Sequence, residues 1–143
     1  MPQLFGAEVS PDTYELNKHM LTPAKVDKTE ARKQLEAEMK QQFARQFEAQ
    51  WALLGGPALE KEHYFNPDRR WHSDYLHRPT MTLIELEGGA YSGGRHTRPK
   101  GFIEDIFKYN SATMLGYRVI RVGTGMATAH YLQQIIDAIK CNE

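Results

Sequence analysis

Cysteine is almost absent from this sequence, since Cys141 is the one residue of its kind. A chain with one cysteine has no internal disulfide, which excludes the disulfide-rich secreted domains and favours an intracellular, cytoplasmic location. Long apolar runs are also absent, and because a transmembrane helix needs about 18 or more apolar residues, we expect no membrane span. Neither charge is in excess, since lysine plus arginine and aspartate plus glutamate both total 18. A uniformly basic surface for nucleic acid is therefore excluded.

Hydrophobic periodicity and turn residues divide the chain into an arm and one domain. Residues 1–26 contain three prolines and no sustained period, which indicates an N-terminal arm. The pattern from 27 to 143 predicts one α/β domain: a long helix over 27–54, three strands, a helix, a strand, and a C-terminal helix over 129–140. Because the last strand follows a helical crossover, the sheet of about four strands should be mixed and flanked by helices.

The long helix carries an apolar residue at every fourth position from Ala31 to Trp51. Each such step turns by about 40° around the helix, so the stripe cannot all face one domain. We expect Leu35 and Met39 to stay outside when Phe47 packs on the sheet, and a second copy to cover them in a homodimer. A helix wrapped along its own sheet is the alternative.

Three carboxylates are spaced to meet at the end of two short predicted strands. One residue separates Glu85 from Glu87, and alternate residues of a strand project from the same face. If the strand with Asp74 is a neighbour, Asp74 joins that face. Such a cluster repels itself unless a cation neutralises it, and oxygen ligands select Mg²⁺ or Mn²⁺ over zinc. The pattern predicts a divalent-metal site, with solvated acids of an edge strand as the simpler alternative.

A glycine-rich basic segment follows these acids. Between Gly88 and Lys100 it contains Arg95, His96 and Arg98, and its glycines leave room for a polyanion. Metal-binding acids beside a basic loop indicate phosphodiester chemistry. His96 is a candidate for binding a phosphate or shuttling a proton, with an ordinary surface histidine as the alternative.

The order of these motifs resembles a known family. Over about residues 60–122 the chain is similar to the PD-(D/E)xK nuclease superfamily, and within it to compact Vsr-like endonucleases of phages and bacteria. The matching segments are Phe65–Trp71, Asp74, Glu85–Gly89, Gly94–His96, Lys108–Asn110 and Gly116–Arg121. The resemblance implies a restriction-endonuclease-like core with residues 60–122 as its catalytic part. It also implies a Mg²⁺-dependent deoxyribonuclease in the cytoplasm of a bacterium or a phage-infected host.

The resemblance implies roles for individual residues. Asp74 and Glu85 would hold the metal together with the carbonyl oxygen of Leu86. Glu87 would position the attacking water or bind a second ion. Because Glu87 stands where the family usually has a lysine, the positive charge must come from elsewhere. Lys108, on the helix that follows, is the candidate that could reach back to supply it.

Phosphate contacts are expected from basic residues around this site. Two guanidinium groups directly precede Trp71, and the basic segment supplies the others. Lys100 is also the second candidate for the missing charge. The DNA-binding candidates are Arg69, Arg70, Arg95, His96, Arg98 and Lys100.

Other functions fit parts of the same pattern. A structure-selective nuclease that resolves Holliday junctions or other branched DNA would need two active sites and hence a dimer. A catalytically inactive DNA-binding module of the same fold would explain the missing lysine. His72, Asp74 and His130 have the order of an iron-binding facial triad, without the arginine such enzymes carry. A zinc site formed by His63, His72 and His77 would lack a fourth protein ligand.

Overall fold

The computed structural model describes residues 3–4, 7–18, 30–88 and 99–143. Within these ranges it describes every side chain except those of residues 3, 4, 7, 99 and 100. Three parts of the predicted features therefore lie outside the described residues: positions 1–2, 5–6 and 19–26 of the N-terminal arm, the start of the long helix at 27–29, and the basic segment over 89–98.

The described elements follow the predicted order from the long helix onward. In chain order they are β1 (Gln3–Leu4), β2 (Ala7–Glu8), α1 (Pro11–Asn17), α2 (Glu30–Leu53), β3 (Glu60–Tyr64), β4 (His72–His77), β5 (Thr82–Glu87), α3 (Pro99–Met114), β6 (Arg118–Gly123) and α4 (Ala129–Lys140). Among the described residues, none of the helices combines the length and apolar character that crossing a membrane requires.

The main sheet has four strands in the order β3-β4-β5-β6. The first three are antiparallel neighbours, and β5 pairs with β6 in parallel. The β4–β5 connection is a short 3-10 turn over Arg78–Thr80, which Pro79 favours, and Met81 closes it with a φ of 52°. The predicted α/β fold, with a mixed four-stranded sheet flanked by helices, is confirmed.

The N-terminal arm contains regular structure that the sequence analysis did not assign. Strands β1 and β2 pair antiparallel in a small separate sheet, and α1 follows. Ser10 caps α1, because its hydroxyl accepts the Thr13 N–H at 3.2 Å, and Pro11 stands in the first turn. None of the α1 residues is buried, so this helix adds nothing to the core.

One face of the sheet is covered by α2 and α4. In α4 the apolar residues recur at intervals of three and four, so they form one stripe that faces the sheet. The residues of this core are Phe43, Phe47, Trp51, Tyr75, Ile84, Val122, Ala127, Leu132, Ile135, Ile136 and Ile139.

The opposite face of the sheet is covered by α3. Its core consists of Phe65, Leu76, Leu83 and Ala112, with Trp71, Tyr117 and Val119 packed around it. Because side chains alternate along a strand, the β5 face that carries Leu83 also carries the two glutamates of that strand. The fold therefore places the predicted acids beneath α3.

Only the second half of α2 packs on the sheet, as the turning stripe predicts. Phe47 is fully buried, whereas Leu35 and Met39 are 56% and 51% exposed. The helix ends where expected, because Gly55 adopts a φ of 68° and the Trp51 indole N–H donates to the Pro57 carbonyl at 2.9 Å.

Replacement of Phe47 by alanine is expected to lower the free energy of unfolding by about 3–5 kcal/mol. The ring centroid of Phe47 lies 4.9 Å from that of Tyr75 and 5.3 Å from that of Trp51, so the substitution leaves a cavity between α2 and the sheet. Urea unfolding followed by circular dichroism measures the loss. Leu35→Ala on the same helix is the control and should change stability by less than about 0.5 kcal/mol. Equal losses would contradict the division of α2 into packed and projecting halves.

Candidate active site

The candidate site lies where β4 and β5 separate. Their Cα pairing extends only as far as Tyr75 and Ile84, while β5 continues beside β6 to Glu87. At this opening the Asp74 carboxylate accepts the Leu86 N–H at 2.8 Å. A side chain thus binds a backbone donor just beyond the last β4–β5 pair, which fixes the carboxylate at the open end of the sheet.

Lys108 and Glu85 form a shielded ion pair beside Asp74. The Lys108 Nζ lies 2.9 Å from Glu85 Oε1, and the two side chains are 15% and 9% exposed. The contact lacks the angles of a regular hydrogen bond, so this buried oxygen has no aligned donor within the described part of the chain. The structure therefore brings to the acids the lysine that the sequence analysis singled out.

Glu87 is held by residues of two other elements. The Tyr109 hydroxyl on α3 donates to Glu87 Oε1, and the Arg121 Nε on β6 donates to the same oxygen at 3.0 Å. The Arg121 guanidinium also lies over the Tyr109 ring, with Cζ 4.4 Å from the ring centroid. Glu87 is therefore an acid that binds an arginine and a tyrosine.

Burial raises the pKa of the Glu85 carboxyl to about 7. The positive charge of Lys108 lowers this pKa, and the negative charges of Asp74 and Glu87 raise it. Burial and the hydrogen bond to Glu87 likewise raise the pKa of Tyr109, which keeps its hydroxyl protonated as a donor. One lysine does not offset the desolvation of Glu85, so an added cation would be stabilised here.

Tyr109, Arg121 and Asp105 were not singled out from the sequence. Asp105 is buried on the α3 turn that precedes Lys108. Burial lowers the pKa of Arg121, but Glu87, Tyr109 and Asp105 together raise it by more. The spacing held a signal for the helix residues alone, because residues 105, 108 and 109 share one helix face. Arg121 becomes the register partner of Glu85 only in the folded sheet.

The predicted phosphate-binding residues divide into described and undescribed groups. Arg69 lies near α3, where it contacts Glu104 at 3.3 Å and stacks on Trp71 with Cζ 4.2 Å from the ring centroid. Arg70 is exposed in the same β3–β4 connection. Four candidates lie outside the described residues, Lys100 by its side chain alone: Arg95, His96, Arg98 and Lys100.

Glu48 makes its contacts on the face of the sheet that α2 covers. It accepts the Tyr75 hydroxyl at 2.8 Å and forms an ion pair with Lys61 at 2.9 Å. Hydrogen bonds from Lys61 and Tyr75 lower the pKa of Glu48, while burial raises it by less. Glu48 is therefore already neutralised by a lysine of its own.

The described side chains do not assemble the iron or zinc sites that the sequence left open. Within the described ranges, no group of three or more His, Cys, Asp or Glu residues has the arrangement of a preformed metal site. The facial triad with His130 is not assembled, since His130 is exposed on α4 and bonds Gln134 at 3.0 Å. The zinc set is not assembled either, since His77 is buried against Glu143 at 3.0 Å. The Leu86 N–H binds one oxygen of Asp74, Oδ2, and Lys108 contacts one oxygen of Glu85, Oε1.

The fold and the site together define an α/β protein with a buried glutamate–lysine pair at the open end of a mixed sheet. No family model, curated protein or solved structure matches the chain.

Proposed function

We propose that this protein is a divalent-metal-dependent endonuclease that hydrolyses DNA phosphodiester bonds. The observation that carries the proposal is the contact of Lys108 with Glu85 beside Asp74. Two acids and a lysine at one strand end are the groups that this hydrolysis needs, since the acids hold a cation and the lysine stabilises developing negative charge. The lysine comes from α3, which compensates for the glutamate at position 87.

The element order supports a restriction-endonuclease-like core. A long helix, three antiparallel strands, a helix and a parallel strand are the architecture that the sequence resemblance implies. Residues 60–122 contain β3 through most of β6, and the acids stand where β4 and β5 separate. This order of elements supports the resemblance on which the proposal draws.

The donor set fits Mg²⁺ or Mn²⁺. Asp74 and Glu85 offer hard carboxylate oxygens, and Glu85 Oε1 is buried without an aligned hydrogen-bond donor in the described residues. These two residues would hold the cation, with Leu86 contributing its carbonyl oxygen. A bound cation would polarise the scissile phosphate and favour ionisation of a water molecule. With a cation on the carboxylates, the Lys108 ammonium group beside Glu85 would be available to face the phosphate.

The proposal is tested by incubating the purified protein with supercoiled plasmid and with a four-way DNA junction, each with Mg²⁺ or with EDTA. Cleavage is expected in the samples with Mg²⁺ and not in those with EDTA. Asp74→Asn is the matched control for contaminating nuclease, because asparagine keeps an acceptor for the Leu86 N–H and removes the charge. Cleavage in EDTA, or by the Asp74→Asn protein at the wild-type rate, would contradict the proposal.

Branched DNA is the second candidate substrate. Symmetrical cleavage of a junction needs two sites, and the exposed Leu35 and Met39 offer a surface on which a second copy could dock. Preference for the junction, with twice the 16.4 kDa chain mass by light scattering, would favour this candidate. Junction binding without any cleavage would instead favour an inactive DNA-binding module.

A further inference from the structure

The Arg121 guanidinium is held in one orientation beside the acids. Its Nε donates to Glu87 Oε1 at 3.0 Å, and its Cζ lies over the Tyr109 ring, 4.4 Å from the ring centroid. The Tyr109 hydroxyl donates to the same glutamate oxygen. These three side chains come from β6, β5 and α3, so packing of the strands and helix fixes their arrangement.

The Arg121 guanidinium has more N–H donors than its contacts with the described residues use. The Arg121 side chain is 50% exposed, and its terminal nitrogens donate no hydrogen bond to any residue that the structure describes. A guanidinium carries N–H donors in a rigid fork that matches two phosphate oxygens. Since Glu87 and Tyr109 already restrict its rotation, Arg121 would lose little side-chain entropy on binding an anion.

We propose that Arg121 binds a phosphate of the nucleic-acid strand and that Glu87 and Tyr109 are positioning residues that orient it. The inference rests on the proposed nuclease function and gives Glu87 a role other than binding a metal or water. Arg121 is the register partner of Glu85 on the neighbouring strand. The bound phosphate would therefore flank the one that is cleaved.

Nearby acids set a condition on this binding. Four acids lie around Arg121 and Lys108: Asp74, Glu85, Glu87 and Asp105. Carboxylates near a guanidinium oppose the approach of a phosphate. Binding through Arg121 is therefore expected to be strong only when a divalent cation balances the acids.

The test is fluorescence anisotropy of a labelled DNA junction with the full-length protein in CaCl₂ over a series of NaCl concentrations. Arg121→Gln should weaken binding by about tenfold and reduce the slope of log Kd against log salt by about one. Arg121→Lys should keep the slope and weaken binding less, because it retains the charge and loses the fork. Arg118→Gln is the matched control, since Arg118 is exposed on the same strand and contacts Asn142 at 3.1 Å.

Tyr109→Phe tests the positioning role separately. It keeps the stacked ring and removes the hydroxyl that fixes Glu87, so affinity should fall by about threefold with the salt slope unchanged.

Wild-type affinity and slope in both Arg121 variants would overturn the proposal and leave Arg121 a structural residue. If Arg121→Gln does not fold, as judged by circular dichroism, Arg121→Lys decides between these results. If the wild type cleaves DNA and the Arg121 variants bind as tightly as the wild type, only the phosphate contact is rejected. If the wild type neither binds nor cleaves DNA, the nuclease function is rejected too.

Discussion

Lys108→Met should lower the rate of DNA cleavage by about 100-fold or more while changing DNA affinity by less than about threefold. Methionine retains most of the length of lysine and removes its charge, so α3 should still pack. The ammonium group lies 2.9 Å from Glu85 Oε1 and is 15% exposed, which suits transition-state charge better than general attraction of DNA. Single-turnover cleavage and equilibrium binding separate the two effects.

The control for Lys108→Met is Lys61→Met. Lys61 also pairs with a glutamate at 2.9 Å, but its partner Glu48 also binds Tyr75, on the α2 side of the sheet. Its replacement should leave the cleavage rate within about twofold of the wild type, as expected away from the reacting groups. Equal losses of rate and affinity in Lys108→Met would make Lys108 a simple phosphate contact. Lys100 or His96 would then become the better candidate for the missing charge.

Glu85→Gln should abolish Mg²⁺-dependent cleavage and yet stabilise the metal-free protein at pH 8. Burial raises the pKa of Glu85 from 4.5 to about 7. Between pH 4.5 and pH 7, the folded protein therefore keeps a proton on Glu85 that the unfolded chain has released. Ionised Glu85 therefore costs stability that is absent below about pH 4.5 and reaches at most about 3 kcal/mol above pH 7. Because the favourable charge of Lys108 is already included in this pKa, glutamine should remove most of the cost, a gain of about 2–3 kcal/mol.

Thermal melts in EDTA at pH 4.5 and pH 8 measure this difference. The Glu85→Gln protein should melt higher than the wild type by a few degrees at pH 8, and the gain should vanish at pH 4.5. Saturating Mg²⁺ should raise the Tm of the wild type alone, because only the wild type retains both carboxylate ligands. An equal Mg²⁺-induced rise in both proteins would contradict the assignment of Glu85 as a metal ligand.

Local chemistry was enough to predict most elements. The helix predicted over 129–140 coincides with α4. The long helix ends beside Gly55, whose φ of 68° is not helical, as the predicted glycine stop requires. Short-range patterns predict these elements: apolar spacing, a capping residue and a glycine at the helix end. The same reasoning could have found α1, since Ser10 and Pro11 form a helix start, but two pairs of strand residues are too short for a periodic signal.

The acids were predictable because alternation along a strand is a local rule. Glu85 and Glu87 share the face beneath α3, and Asp74 reaches the backbone of β5. Their partners were predictable only in part. Lys108 was a candidate for its charge and its place on the helix after the acids, whereas nothing in the sequence placed Tyr109 and Arg121 together at Glu87.

The sequence by itself determined the order of elements, the acid spacing and the projection of Leu35 and Met39, because each depends on residues within a few turns or strand steps. Tertiary structure alone decided that β4 and β5 separate at Asp74 and that α3 brings Lys108 onto Glu85. It also decided that Arg121, 34 residues beyond Glu87, supplies that glutamate's partner. Such contacts depend on the register of β6 against β5 and on the rotation of α3 about its axis. Both are set by packing of the whole core rather than by any local pattern.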